Sequence, residues 1–168
     1  MSRFTIRDTS NVRELTGNLK ELDKNQIKVG ILGKDSELSM IAAVHEYGTE
    51  ITVTEKMRKW FAANGFPLKK ETTKIVIPER SFLRSGFDES VDDIAKKIED
   101  LAPLVLQNQV DPQIFMNMIG LEFAGKIQQK IRNLRGPANS DMTVERKGSS
   151  NPLVDSGRLV GSISHKIE

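Results

Sequence analysis

Several groups of residues in this chain have types and spacings that could do chemistry, and each falls short at an identifiable position. His45-Glu46 begins like a zinc-protease helix, where two histidines one turn apart hold the metal and the glutamate acts as base. Thr49 stands where the second histidine is needed. The simpler account is that His45 sits near the end of its helix, where its side chain suits the carbonyl-rich terminus. Gly120 to Lys126 has phosphate-loop spacing, but Ile127 occupies the metal-binding Ser or Thr position and no strand precedes it. Gly30, Gly33 and Lys34 lie too close together for that motif. The apolar Ile31 and Leu32 between the two glycines suit a strand end better than a nucleic-acid clamp. Ser156, Asp155 and His165 are hydrolase residue types, yet Ser156 lacks the flanking glycines of a nucleophile elbow. Asp155 or Ser156 capping a turn at Gly157 is the simpler reading.

Basic residues cluster at Arg58-Lys59, at Lys69-Lys70 and at Arg132, Arg135, Arg146 and Lys147. Most alternate with acids, as solvated faces do. Arg146 and Lys147 have little acid nearby and are the best place to touch phosphate or an acidic partner. With 25 basic and 23 acidic residues, the net charge of +2 gives no chain-wide field toward nucleic acid. The absence of cysteine removes disulfides, thiolate metal sites and thiol nucleophiles. No cofactor and no metal are expected. Met1 to Asp8 has no apolar run of signal-peptide length, and no segment is apolar enough for a membrane span, so synthesis in the cytoplasm is expected.

At 168 residues the chain is expected to form one domain, residues 1–168. Val12, Leu15, Leu19 and Leu22 recur at helical spacing behind Ser10 as a cap, giving a helix that should pack on a sheet. Ile27, Val29 and Ile31 alternate as a strand. Ser36 can cap a helix with Met40, Ile41, Val44 and Tyr47 on one side, stopped by Gly48. Ile51 and Val53 read as extended, Thr54 as the cap of a helix bearing Met57, Trp60 and Phe61, and Thr72 to Ile77 as a strand hairpinned with the one near Ile51. After Pro78 a charged helix carries a stripe from Val91 to Val105, with Pro103 kinking or ending it. Asp111-Pro112 starts the longest helix, with Met116, Ile119, Phe123, Ile127, Ile131 and Leu134 on one face and Gly120 and Gly125 open to a neighbouring backbone. Residues 136–152 read as a mobile loop. Leu153 and Val154, a turn at Ser156-Gly157 and a strand through Ile163 and Ile167 close the chain.

Several separated pieces together resemble one family. They are Lys28-Val29-Gly30-Ile31, Ala43-Val44-His45-Glu46-Tyr47-Gly48, Ile77-Pro78-Glu79-Arg80-Ser81-Phe82-Leu83-Arg84, Pro152 to Leu159, and Ser162-Ile163. In order and spacing they are similar to the phage tail-completion, or virion morphogenesis, proteins. The resemblance runs from about Gln26 to the end. It implies an α+β subunit with a small, mainly antiparallel sheet against helices, assembled as a ring, expected to be hexameric, at the neck of the virion. The expected partners are tail-tube or terminator and head-tail connector proteins, with genome DNA passing through the lumen and no membrane. The free subunit is expected to be monomeric. Thr54 to Lys74 looks like an insertion relative to the common pattern, and the chain ends soon after Ile163.

The expected role is therefore structural and not enzymatic, a tail-completion or head-to-tail joining subunit of the virion. Phe82, Leu83, Arg84, Arg146, Lys147, Asp155 and Arg158 are the expected assembly residues, together with an open sheet edge near the last strand. A nucleic-acid-binding accessory protein is the alternative, and would show a steep salt dependence of DNA affinity. A small hydrolase using Ser156 and His165 is a third reading, in which Ser156→Ala would abolish activity.

Overall fold

The computed structural model describes residues 12–168. Asp111 and Pro112 start the helix on which the rest is built. The Asp111 carboxylate accepts from the N–H groups of Gln113 and Ile114, and Pro112 takes the first helical position, where no N–H is needed. This helix is α6 of the chain order, which runs α1 (Val12–Lys24), β1 (Ile27–Ile31), α2 (Ser36–Tyr47), β2 (Thr49–Thr52), α3 (Glu55–Ala63), β3 (Lys74–Ile77), α4 (Leu83–Asp88), α5 (Val91–Leu106), α6 (Pro112–Asn133), α7 (Asp141–Lys147), α8 (Arg158–Ser162) and β4 (Ile163–Ile167). The fold is α+β, with antiparallel strand pairs against helices. No helix among the described residues is long and apolar enough to cross a membrane.

The apolar stripe of α6 passes through two clusters. Phe115, Met116 and Ile119 join Ile94 and Val105 of α5 at one end, while Ala124, Ile127 and Ile131 join Phe82, Leu153, Leu159, Val160 and Ile163 at the other. Phe123 packs against both. Burying each isoleucine of that stripe stabilises the fold by about 1.5–3 kcal/mol.

β1 and β4 pair antiparallel, Ile27 opposite Ile167 and Ile31 opposite Ile163, and the pair packs on α6. Gly120 makes that approach possible. A Cβ there would lie 2.5 Å from Cδ2 of His165, so the imidazole rests on bare backbone. Gly120→Ala is expected to push the His165 ring off α6 and to cost about 1–3 kcal/mol, read as a lowered midpoint of chemical unfolding. Gly125 meets nothing, so its expected role in close approach is not needed.

β2 and β3 form a separate antiparallel pair, Thr49 opposite Ile77 and Thr52 opposite Lys74, as expected from the β-branched runs. Between them the chain makes α3, capped by Thr54, whose hydroxyl accepts from the Met57 N–H. Arg58 ties α3 down by donating to the carbonyls of Lys69, Lys70 and Thr72. Residues 49–77 thus form an arm whose two strands, among the described residues, pack chiefly on each other.

Several sequence expectations are corrected. The proposed Ser10 cap lies outside the described residues, and α1 packs on α5 and α6 instead of on a sheet. α2 is capped by Asp35, one residue earlier than expected. Its buried face is Leu38, Ala42 and Glu46, while Met40, Ile41 and Tyr47 are exposed. The single helix expected after Pro78 is two, α4 and α5, and Pro103 falls in the last turn of α5. Residues 136–152 are not plain loop. They contain α7, whose N-terminus is capped by Ser140 and whose C-terminus ends on left-handed Gly148. Gly157, and neither Asp155 nor Ser156, stands at the cap position of α8.

Candidate assembly site

Glu46 lies in the last turn of α2, where the helix dipole disfavours a carboxylate. It is 3% exposed, so a compensating set of donors is required. The structure supplies it from the first turn of α4. One carboxylate oxygen accepts from the N–H groups of Phe82 at 2.8 Å and Leu83 at 2.9 Å. The other accepts from the Ser81 hydroxyl at 2.8 Å, the Arg84 N–H at 3.0 Å and Arg84 Nε at 3.1 Å. α4 has no side-chain cap of its own; Glu46 serves as one from a distant helix. Burial opposes ionisation of Glu46, but the N–H groups of Arg84, Leu83 and Phe82 and the Ser81 hydroxyl outweigh it, holding its pKa below the ordinary carboxylate value.

Arg84 completes the lock. Its Nη2 donates to the Glu46 carbonyl and to the Glu79 carboxylate, both at 2.8 Å, and its guanidinium lies 4.8 Å from the centroid of the Tyr47 ring. Gly48 brings the two segments together. At φ 69° and ψ 169° it occupies a region open only to glycine, and a Cβ would lie 2.8 Å from the Glu79 nitrogen. The Arg80 N–H then donates to the His45 carbonyl at 2.7 Å.

Arg80 points the other way and is 4% exposed. Its Nε donates to the Pro137 carbonyl at 2.6 Å and its Nη2 to the Ala138 carbonyl at 2.9 Å, so a buried cation pins the segment leading into α7. His45 Nδ1 lies 3.4 Å from Arg80 Nη1. Burial first, then the charges of Arg80 and Lys147, depress the His45 pKa. Removing the guanidinium in Arg80→Ala leaves both carbonyls without their donor. We expect a loss of about 2 kcal/mol, with amide hydrogen exchange quickening through residues 137–148 more than in α6.

The expected assembly residues divide into separate places. Phe82 is fully buried in the core, which makes it a support for α4 and not a surface contact. Leu83 and Arg84 line a groove of about 520 Å³ with Ile27, Val29, Phe87, Asp88, Phe123 and Ile127. Lys147 turns inward, donating to the carbonyls of Asn151 at 3.1 Å and Pro152 at 3.4 Å, and its pKa is lowered by burial. It anchors the α7 segment, while Arg146 beside it is exposed. Asp155 is exposed, and Arg158 forms an exposed ion pair with Asp35 at 2.9 Å.

The discarded motifs are also located. Gly120 to Lys126 lies inside α6, and Gly30 is buried within β1. His165 Nε2 pairs with Asn117 Oδ1 at 3.1 Å, and among the described residues it shares no hydrogen bond with Asp155 or Ser156. Sequence reasoning missed Glu46, although an acid in the last turn of a helix is itself a signal that a donor set lies nearby. It also missed Phe87, which reaches the groove only because α4 exists as a separate helix. Comparison with protein-family models, curated proteins and solved structures finds no match for the chain.

Proposed function

We propose that the chain is a structural subunit of a tailed bacteriophage or prophage virion, a tail-completion or head-to-tail joining protein acting as one member of a ring at the neck. What carries this reading is the convergence of the segments that resemble that family. Ala43 to Gly48 and Ile77 to Arg84 meet at the Glu46 carboxylate, while Leu153, Leu159 and Ile163 share one core cluster with Phe82. Scattered chance likenesses have no reason to fall on one hydrogen-bonded node and the core beneath it. On this reading the protein turns over no substrate. Its work is to hold tail-tube or terminator and connector proteins in register around passing DNA.

The test is location. Virions carrying an epitope-tagged copy are purified and labelled with gold-conjugated antibody. The proposal expects gold at the head-tail junction and stoichiometric recovery of the chain from purified particles. Its absence from purified virions would overturn the proposal.

A second reading, a nucleic-acid-binding accessory protein, is favoured by one feature. The arm carries Lys56, Lys59, Lys69 and Lys70 beside the exposed Trp60. Retention on duplex DNA that falls steeply with salt, and is lost on reversing those lysines, would support it.

A further inference from the structure

Among the described residues β1 hydrogen-bonds to β4 alone, so its second edge presents backbone N–H and C=O groups with no partner strand. Along β1 lies the apolar groove, walled by Ile27 and Val29 of β1, Leu83 and Phe87 of α4, and Phe123 and Ile127 of α6. Phe87 remains 48% exposed although its ring packs on Phe123 at 5.4 Å. None of the lining comes from the chain's own arm. An open strand edge beside an unfilled apolar groove is the arrangement that an added strand completes.

We infer that the β2–β3 arm of a second copy of this chain supplies that strand, laid along the free edge of β1 with apolar side chains in the groove. This rests on the ring-subunit reading and names the contact that would build the ring. The arm holds the only other strands among the described residues, and it exposes Val76 at 62% and Trp60 at 50%. Charge selects the same pairing. The arm carries Lys56, Arg58, Lys59, Lys69, Lys70 and Lys74 against Glu50, Glu55 and Glu71. The α4–α5 segment carries Asp88, Glu89, Asp92, Asp93, Glu99 and Asp100 against Arg84, Lys96 and Lys97. Arg84 is held by Glu46 and Glu79, Glu89 and Asp93 are paired with Lys130 and Lys126, and Asp88 is the acid in the groove lining itself. A basic arm on an acidic rim is complementary, whereas arm on arm would set like charges together. Arm and groove are different surfaces of one subunit, so the contact is heterologous, and where its rotation closes on itself it builds a ring. Duplex DNA would engage the lysines but leave the groove and the open edge unused.

The chain has no cysteine, so Val76→Cys and Phe87→Cys introduced together supply the only thiols. The full-length double variant, concentrated and treated with a short bismaleimide, is expected to give a ladder of covalent oligomers ending in a closed species. Either single variant alone should stop at dimer. Adding Asp88→Lys and Asp92→Lys is expected to lower the ladder yield about tenfold, and high salt to weaken it. The inference is overturned by a yield no higher than that of a control pair, Val76→Cys with Arg146→Cys, or by a 76-to-87 link confined to one chain. A link from Phe4→Cys to Phe87→Cys within one chain would also overturn it, since the chain's own first residues would then fill the groove. Loss of DNA retention on reversing the arm lysines, with no ladder, would overturn it in favour of nucleic acid. No ladder together with unjoined heads and tails on gene deletion sinks this contact and spares the ring reading. A ladder together with normal virions on deletion spares the contact and sinks the neck role.

Discussion

Glu46→Ala is expected to remove a large share of the stability of the fold. The substitution strips the acceptors from the N–H groups of Phe82, Leu83 and Arg84 and from the Ser81 hydroxyl, and removes the Glu46 carboxylate from Arg84 Nε, leaving that guanidinium to Glu79. Each buried donor left without an acceptor costs about 1–3 kcal/mol, so several lost together take a large share of the roughly 5–15 kcal/mol that holds an ordinary domain together. Glu46→Gln should cost less, because the amide oxygen still accepts while the amide nitrogen faces donors. Chemical denaturation of the two variants beside the native chain checks the order. The same node sets the acid sensitivity. The folded pKa of Glu46 is lowered from 4.5, so the stability it contributes is fully present above that value and is lost as pH falls through the lowered one. The folded pKa of His45 is likewise lowered from 6.5, so the unfolded chain takes up its proton first and stability begins to fall below about that pH. His45→Asn should flatten the upper part of the curve and leave the lower part, which belongs to Glu46.

Gly48→Ala is expected to be nearly as damaging, for a reason of backbone and not of charge. The backbone angles of Gly48 lie where a side chain costs about 1–3 kcal/mol by strain alone. The new Cβ would also stand 2.8 Å from the Glu79 nitrogen and 3.0 Å from the Ile77 carbonyl oxygen, and both are backbone atoms that cannot swing aside. Relief requires the β3 end to move away from α2, which opens the hydrogen bond from Arg80 N–H to the His45 carbonyl and pulls α4 off Glu46. Unfolding by denaturant should therefore show a loss of about 3 kcal/mol or more. Gly65→Ala provides the contrast. It is strained at φ 84° but has open space around the added methyl, so its loss should be confined to about 1–2 kcal/mol.

Much of the scaffold was legible in the sequence because its signals are local. Asp111-Pro112 and an apolar residue every three or four positions define α6, and alternating β-branched residues define β1, β2 and β3. The buried face of α2 escapes a search for apolar spacing because two of the three residues on it are a charge and an alanine. α4 is six residues long and capped from another helix, so nothing within its own sequence announces it. α7 is polar and short, and its capping pair Ser140 and Gly148 was hidden in a stretch of turn-forming residues. The groove has no sequence signature at all, because β1, α4 and α6 contribute to it from distant parts of the chain. The candidate interface is thus legible only at Leu83 and Arg84, and Glu46, which orders both, reads in the sequence as half of a failed metal motif.

The neck role is tested most directly by deleting the gene from the phage or prophage that carries it and viewing the induced lysate by negative-stain electron microscopy. The proposal predicts DNA-filled heads beside separate or overlong tails, converted to whole virions by adding the purified chain and not by adding Glu46→Ala. Normal, intact virions in the deletion lysate would contradict it.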